Sequence, residues 1–242
     1  MAPKITKVDD GGLAPTTGEA KVFVASGESK AQARKLRLIS LLAWVVAIGF
    51  EIGAIWMLGK PPINTTWLVV LIVADLLFAI IGSVLWKKSN RLDPASQQDK
   101  VRFFVQNQLG LIIAVIAFLP LVILVFTNKN LSGKQKGIVG TIAVAALVLA
   151  GVTGVDLNPP SVEQYSEQTK QVEALNQGAN HVYWTKHGKS YHLYSDCSYI
   201  TGDKTVEIFE GTVAKARELK NITDLCNRCQ ARATKAKELG AK

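Results

Sequence analysis

Tyr191-His192-Leu193-Tyr194-Ser195-Asp196-Cys197, answered by Cys226-Asn227-Arg228-Cys229, is the stretch on which the reading of this chain turns. These two pieces hold all three cysteines of its 242 residues. Tetrahedral zinc takes four Cys or His ligands at about 2.0–2.3 Å, and ligands two to four residues apart let one tight turn present a pair. The second arm, Cys-x-x-Cys, has that spacing; the first, from His192 to Cys197, is looser but within reach of a turn. An odd cysteine count suits metal ligation in a reducing compartment better than a disulfide framework. His192, Cys197, Cys226 and Cys229 are the expected ligands of a structural zinc, because four protein ligands fill the tetrahedron and leave no place for water. His192 is the weakest member, with His181 or His187 as its substitutes. The rival readings are a redox dithiol, which requires a strand-to-helix setting at Cys226–Cys229 and leaves Cys197 idle, and unligated buried thiols.

Around the two arms the apolar pattern has a period of two. Residues 181–186 read as a strand, His187-Gly188 as a turn, 189–194 as the returning strand, and 205–209 as a third. Residues 212–220 read as a helix with Thr212 as N-cap, and 230–239 as a basic terminal helix. A unit of this size has a thin core, and a structural metal is a usual remedy. The run Val182-Tyr-Trp-Thr-Lys-His-Gly-Lys-Ser-Tyr-His192, then Cys197-Ser-Tyr-Ile200 and Cys226-x-x-Cys229, resembles the zinc domain of the Ada methyltransferase family and related tails on bacterial membrane proteins and nucleases. The similarity covers roughly residues 181–232, a fifth of the chain. It implies a zinc-held fold more than a reaction: the Ada domain uses four cysteines, one of which accepts a methyl group from DNA phosphate, and here His192 stands at one ligand position.

Upstream of residue 158 the chain reads as membrane anchor. About 20 consecutive apolar residues cross a bilayer core as helix, and four stretches qualify, at about 38–58, 66–86, 107–126 and 137–156. The expected fold class is an α-helical membrane protein of four transmembrane helices carrying a small α+β zinc-binding C-terminal domain. Its parts are a disordered basic arm (1–36), the four-helix domain (37–157), an amphipathic linker helix (158–180) and the zinc domain (181–242). The arm is rich in Gly, Pro, Thr and charge, and its only strand-like piece is Lys21-Val-Phe-Val24. Its juxtamembrane cations Lys30, Arg34, Lys35 and Arg37 suit anionic lipid head groups. In the linker, Ser161 with Gln164 forms a capping-box pattern and Gly178 a stop. Trp56, Trp67 and Trp86 fall at interfacial positions, and Pro120 predicts a kink in the third span.

The formal charge of +9 does not mark a nucleic-acid face, since residues 157–242 carry 12 Lys/Arg against 10 Asp/Glu. The excess lies beside the apolar blocks, where it sets orientation. The arm carries 7 Lys/Arg and the second loop 5, against 1 and 3 in the first and third loops. Both termini are therefore expected in the cytoplasm of a multi-pass inner-membrane protein, with no cleavable signal peptide before the first apolar block.

Glu51 and Asp75 fall inside the first and second spans at similar depth, a possible proton or cation site; the bland alternative is a pair of protonated acids bridging helices. Gly49-x-x-x-Gly53 and Ala146-x-x-x-Ala150-x-x-x-Gly154 are stripes that permit close helix approach, in a bundle or a homo-oligomer. Because Glu51 projects away from both glycines, the first helix is expected to pack with two faces. No nucleophile–base pair, phosphate loop or open metal site is evident, so an enzyme is not the favoured reading. The leading function is an interaction protein presenting the zinc module to a protein partner. A small transporter using Glu51 and Asp75 comes second, and a membrane-tethered nucleic-acid-contacting module like that of Ada third.

Overall fold

The computed structural model describes residues 3–8, 22–220 and 222–240. Its elements run β1 (Lys4–Lys7), α1 (Gly27–Leu58), α2 (Thr65–Leu92), α3 (Lys100–Thr127), α4 (Gly133–Gly154), α5 (Val162–Leu175), β2 (Val182–Thr185), β3 (Ser190–Tyr191), β4 (Glu207–Gly211), α6 (Val213–Lys220), β5 (Asp224–Leu225) and α7 (Asn227–Gly240). They form two compact units: Lys30–Pro159, and Met1–Ser29 with Pro160–Lys242.

The first unit is built from α1–α4, each long and apolar enough to cross a membrane. Even the shortest, α4, has 22 residues, which at 1.5 Å per residue spans about 33 Å. Ends are set by side-chain caps: Asn64 on α2, Asp99 on α3, and a full capping box of Ser132 with Gln135 on α4. Buried polar groups gather near the helix ends. Asn90 Nδ2 and Trp86 Nε1 both donate to the Gln106 carbonyl, Gln106 Nε2 donates to the Asp93 carbonyl, and Arg37 pairs with Asp93 at 2.9 Å. Toward the opposite ends, Asn128 Nδ2 reaches the Leu58 carbonyl and Gln135 Nε2 the Thr65 hydroxyl. Arg37 is thus committed to an ion pair rather than left for head groups, and Trp86 sits against Trp44 at 5.4 Å within a helix that continues to Leu92.

The two small-residue stripes part company. Ala146, Ala150 and Gly154 are all buried, and a Cβ on Gly154 would lie 2.5 Å from the Gly110 carbonyl carbon, so α3 and α4 touch backbone to backbone. Gly49 is exposed, a Cβ there would meet nothing within 4 Å, and one on Gly53 would meet only Leu71 at 3.9 Å. The expectation of a second packing face on α1 is therefore not met within one chain. Its buried stripe is Ser40, Trp44, Ala47, Glu51, Ala54 and Leu58, the face of the acid. α1 meets α2 through side chains: the Trp44 indole lies directly on Gly82, and Phe50 faces Phe78 at 5.8 Å.

The second unit is a small α+β module. Its three-stranded sheet has the order β1-β4-β2, with β1 parallel and β2 antiparallel to β4, and β3 pairs parallel with β5. Trp184, Tyr191, Ile200, Ile208, Val213 and Ile222 form its core. The disordered-arm expectation fails for the described part of residues 1–36. Lys4–Lys7 is a strand on β4, with the Thr6 hydroxyl donating to Glu207 at 2.6 Å, and α1 begins at Gly27. Phe23 stacks edge-on against Tyr165 at 4.8 Å, while its amide donates to the Ser166 hydroxyl; residues 22–24 form no strand. Lys21, the first residue of the expected strand-like piece, lies outside the described residues. The linker helix also belongs to this unit: α5, capped by Ser161 as expected, buries Val172 in the module core. Its chain reversal passes through Gly178 at φ +87, a backbone region that favours glycine.

Candidate metal centre

The two arms are joined by backbone pairing. Tyr183 and His192 exchange hydrogen bonds of 2.7 Å in both directions, which ties the first arm to β2. On its other side β3 runs parallel to β5, with Tyr191 opposite Leu225. The Cys226 amide then donates to the Tyr191 carbonyl at 2.9 Å, so the register carries His192 and Cys226 to neighbouring positions. Cys197 sits in a turn whose next residues fold back on its carbonyl, with Ile200 and Thr201 donating at 2.9 and 3.1 Å. Cys229 lies in the first turn of α7, which begins at Asn227 rather than at the expected Gln230.

The result is one buried cluster. The ligand atoms of His192, Cys197, Cys226 and Cys229 all lie within 4.8 Å of one another, so the four can hold a metal ion. Cys229 Sγ stands 3.7 Å from His192 Nδ1, close to the edge of a tetrahedron with metal–ligand bonds of about 2.0–2.3 Å, roughly 3.3–3.8 Å. No cysteine is in a disulfide. His181 instead pairs with Glu210 at 3.2 Å, and His187 is exposed in the turn, so neither replaces His192.

Burial pushes the His192 imidazole down to about 4, which leaves it neutral, the form that ligates. Burial, with a hydrogen bond involving Cys197 added, pushes the Cys229 thiol up to about 12. A redox dithiol needs the opposite, a depressed thiol pKa. The strand-to-helix setting that such a site requires is nevertheless present, since Cys226 follows β5 and Cys229 opens α7. What weighs against a dithiol is that Cys197 and His192 converge on the same point.

A salt bridge and a hydrogen bond fasten α7 to the loop carrying Cys197: Arg232 grips the Asp196 carboxylate at 2.8 and 3.0 Å and Arg228 donates to the Ser198 hydroxyl at 2.7 Å. Beside the cluster opens a cleft of about 760 Å³, with His192 and Cys226 in its wall and Gln171, Lys189, Asp224 and Arg228 around it. Sequence reasoning missed one buried charge in this module. Arg217 on α6 is 1% exposed, lies over the Tyr165 ring at 4.2 Å, and leaves Nε and one terminal nitrogen without a hydrogen-bond partner among the described residues. Nothing in the alternating charges of residues 212–220 distinguishes it from Lys215, which pairs with Glu218, or from the exposed Lys220.

Glu51 and Asp75 are both buried in the other unit, 5% and 0% exposed. No family model matches the chain, and no curated protein or solved structure is significantly similar to it. The likeness to the Ada zinc domain rests on the motif residues alone.

Proposed function

We propose that this chain is a membrane-anchored interaction protein whose four helices cross a bilayer and whose zinc-clasped module is presented to a protein partner on the cytoplasmic side. The observation that carries the reading is the closed ligand set. Three thiols and one imidazole converge in the module core, and four protein ligands around zinc leave no coordination site for substrate or water. Such a site acts by holding the fold, as the resemblance to Ada-like zinc tails also implies. Zinc is favoured over harder cations because thiolate and imidazole are its preferred donors.

Residues at both ends of the chain share one module, with β1 on β4. Four crossings put both ends of the helical unit on one face of the bilayer, in line with the Lys/Arg distribution. A cytoplasmic face also keeps the three thiols reduced. The cleft beside the cluster, rimmed by amides and by charges of both signs, suits a polar peptide segment of the partner. Nucleic acid is the weaker alternative, because Arg228 and Arg232 are tied to Ser198 and Asp196.

The deciding experiment is elemental analysis of the purified full-length protein together with thiol labelling in intact cells. One zinc per chain, lost in Cys226→Ser, and thiols shielded from impermeant reagents outside the cell are expected. A folded, metal-free module, or thiols reached from outside, overturns the reading. For the partner, a photo-crosslinker at Gln171 should give one defined adduct that Lys189→Glu abolishes.

A further inference from the structure

We propose that Glu51 and Asp75 together form a cation-binding site inside the four-helix unit, holding one monovalent cation, a proton or an alkali ion, between α1 and α2. The proposal is independent of the metal-clasped module and stands or falls without it.

Register is the first support. Trp44 lies on Gly82, Phe50 faces Phe78 at 5.8 Å, and Gly53 faces Leu71. These three antiparallel pairs fix the alignment of α1 on α2, and the same alignment sets Glu51 opposite Asp75. Both acids occupy the buried stripes of their helices, Glu51 between Ala47 and Ala54, Asp75 between Ile72 and Ala79.

The lack of any partner is the second support. Asp75 is fully buried, and neither of its carboxylate oxygens has a hydrogen-bond partner among the described residues; Glu51 Oε1 has none either. The buried amide N–H groups of Asn90, Gln106 and Asn107 in the same unit do find carbonyl partners, while Asn90 Oδ1 has none among the described residues. No Lys, Arg or His occurs in residues 38–58, 66–86, 103–127 or 137–154, so no cation of the chain's own apolar segments can neutralise the pair.

An unpaired ion in an apolar interior costs several kcal/mol, and a second like charge beside it raises that cost. A monovalent cation between the two carboxyl groups lifts the like-charge repulsion and leaves a single negative charge shared by the pair. A divalent ion fits poorly, because calcium and magnesium take about six or more oxygen ligands and two carboxylates supply four. A proton needs only the two facing oxygens, whereas an alkali ion must complete its shell with backbone carbonyls or water. With a proton, the two groups titrate as one dyad.

Dicyclohexylcarbodiimide reacts with protonated carboxyl groups in apolar surroundings, and peptide mass spectrometry locates the adduct. In full-length protein in lipid vesicles, Glu51 or Asp75 is expected to be modified at neutral pH. The rate should fall about tenfold per pH unit once the pair loses its proton, and Glu51→Gln with Asp75→Asn should abolish the adduct. Slowing by sodium or potassium in place of choline assigns an alkali ion; dependence on pH alone assigns a proton. No adduct on either residue of the folded protein overturns the proposal. So does labelling indifferent to both pH and alkali ions, which marks a permanently protonated helix bridge. Should the double variant not fold, the pH and ion dependence of the unaltered chain decides.

Discussion

In the four-helix unit the Gly154 backbone rests against Gly110 and the Trp44 indole against Gly82; in the terminal module, three of the fifteen residues in the buried core are cysteines. The first region has four long helices with apolar stripes and coheres through close packing over their length. The second has strands of two to five residues and helices of eight to fourteen, too little surface to bury a large core. There the ligand atoms of four side chains that could hold a metal ion meet at one point. Distributed packing should yield gradually to single substitutions, whereas a point clasp should fail at once.

The largest expected effect follows from that difference. Structural zinc contributes about 10–16 kcal/mol of apparent binding free energy in small domains, more than a module of this size can replace. Cys226→Ser, or a strong chelator, should unfold residues 160–240 while α1–α4 persist. Limited proteolysis of the full chain, with circular dichroism for residual helix, reads both regions at once. A module that stays protease-resistant would show that its core suffices without the clasp.

In the helical unit the corresponding test is Gly154→Leu. A side chain there must push α3 and α4 apart, because a Cβ alone would lie 2.5 Å from the Gly110 backbone. Overpacking costs about 1–3 kcal/mol, so thermal unfolding of the helical unit in detergent should shift down while the module stays folded. Loss of the module in this variant would mean that the two regions are not separable.

How much of this was legible in the sequence differs by region for physical reasons. The four helices were legible because about 20 apolar residues in a row have few other uses. The cluster was legible because ligand spacing encodes a turn, and the arms around His192 and Cys226 carried it. The Gly49 stripe misled because small residues permit close approach without causing it; what α1 actually used was the bulky Trp44 and the single Gly82, a pairing invisible within either helix alone. β1 was missed because Lys-Ile-Thr-Lys has no local signal for a strand. Its partner β4 is about two hundred residues away, as the Thr6–Glu207 hydrogen bond shows. Arg217 was missed because burial of a cation is decided by what packs over it, here Tyr165.

β1 offers a smaller effect on the module side. Thr6→Ala removes the 2.6 Å hydrogen bond to Glu207 and leaves the strand's backbone pairing in place. One such bond is worth about 1 kcal/mol. Hydrogen exchange at the β4 amides should quicken about fivefold, with metal content unchanged. Unchanged exchange would mean that the N-terminal strand adds no stability to the sheet.

The smallest expected effect is the most direct check on how α1 packs. Gly49→Ala adds a methyl group at an exposed position where it meets nothing within 4 Å. Helix propensity favours alanine over glycine by about 1 kcal/mol, so thermal stability should stay level or rise slightly. Gly154→Ala, the same chemical change, should lower it, because there the methyl group meets backbone. If the two substitutions proved equally harmful in the isolated monomer, α1 would be packing through the glycine face after all. The register that sets Glu51 against Asp75 would then have to be wrong, since Gly49 and Glu51 cannot both point inward from one straight helix at about 100° per residue.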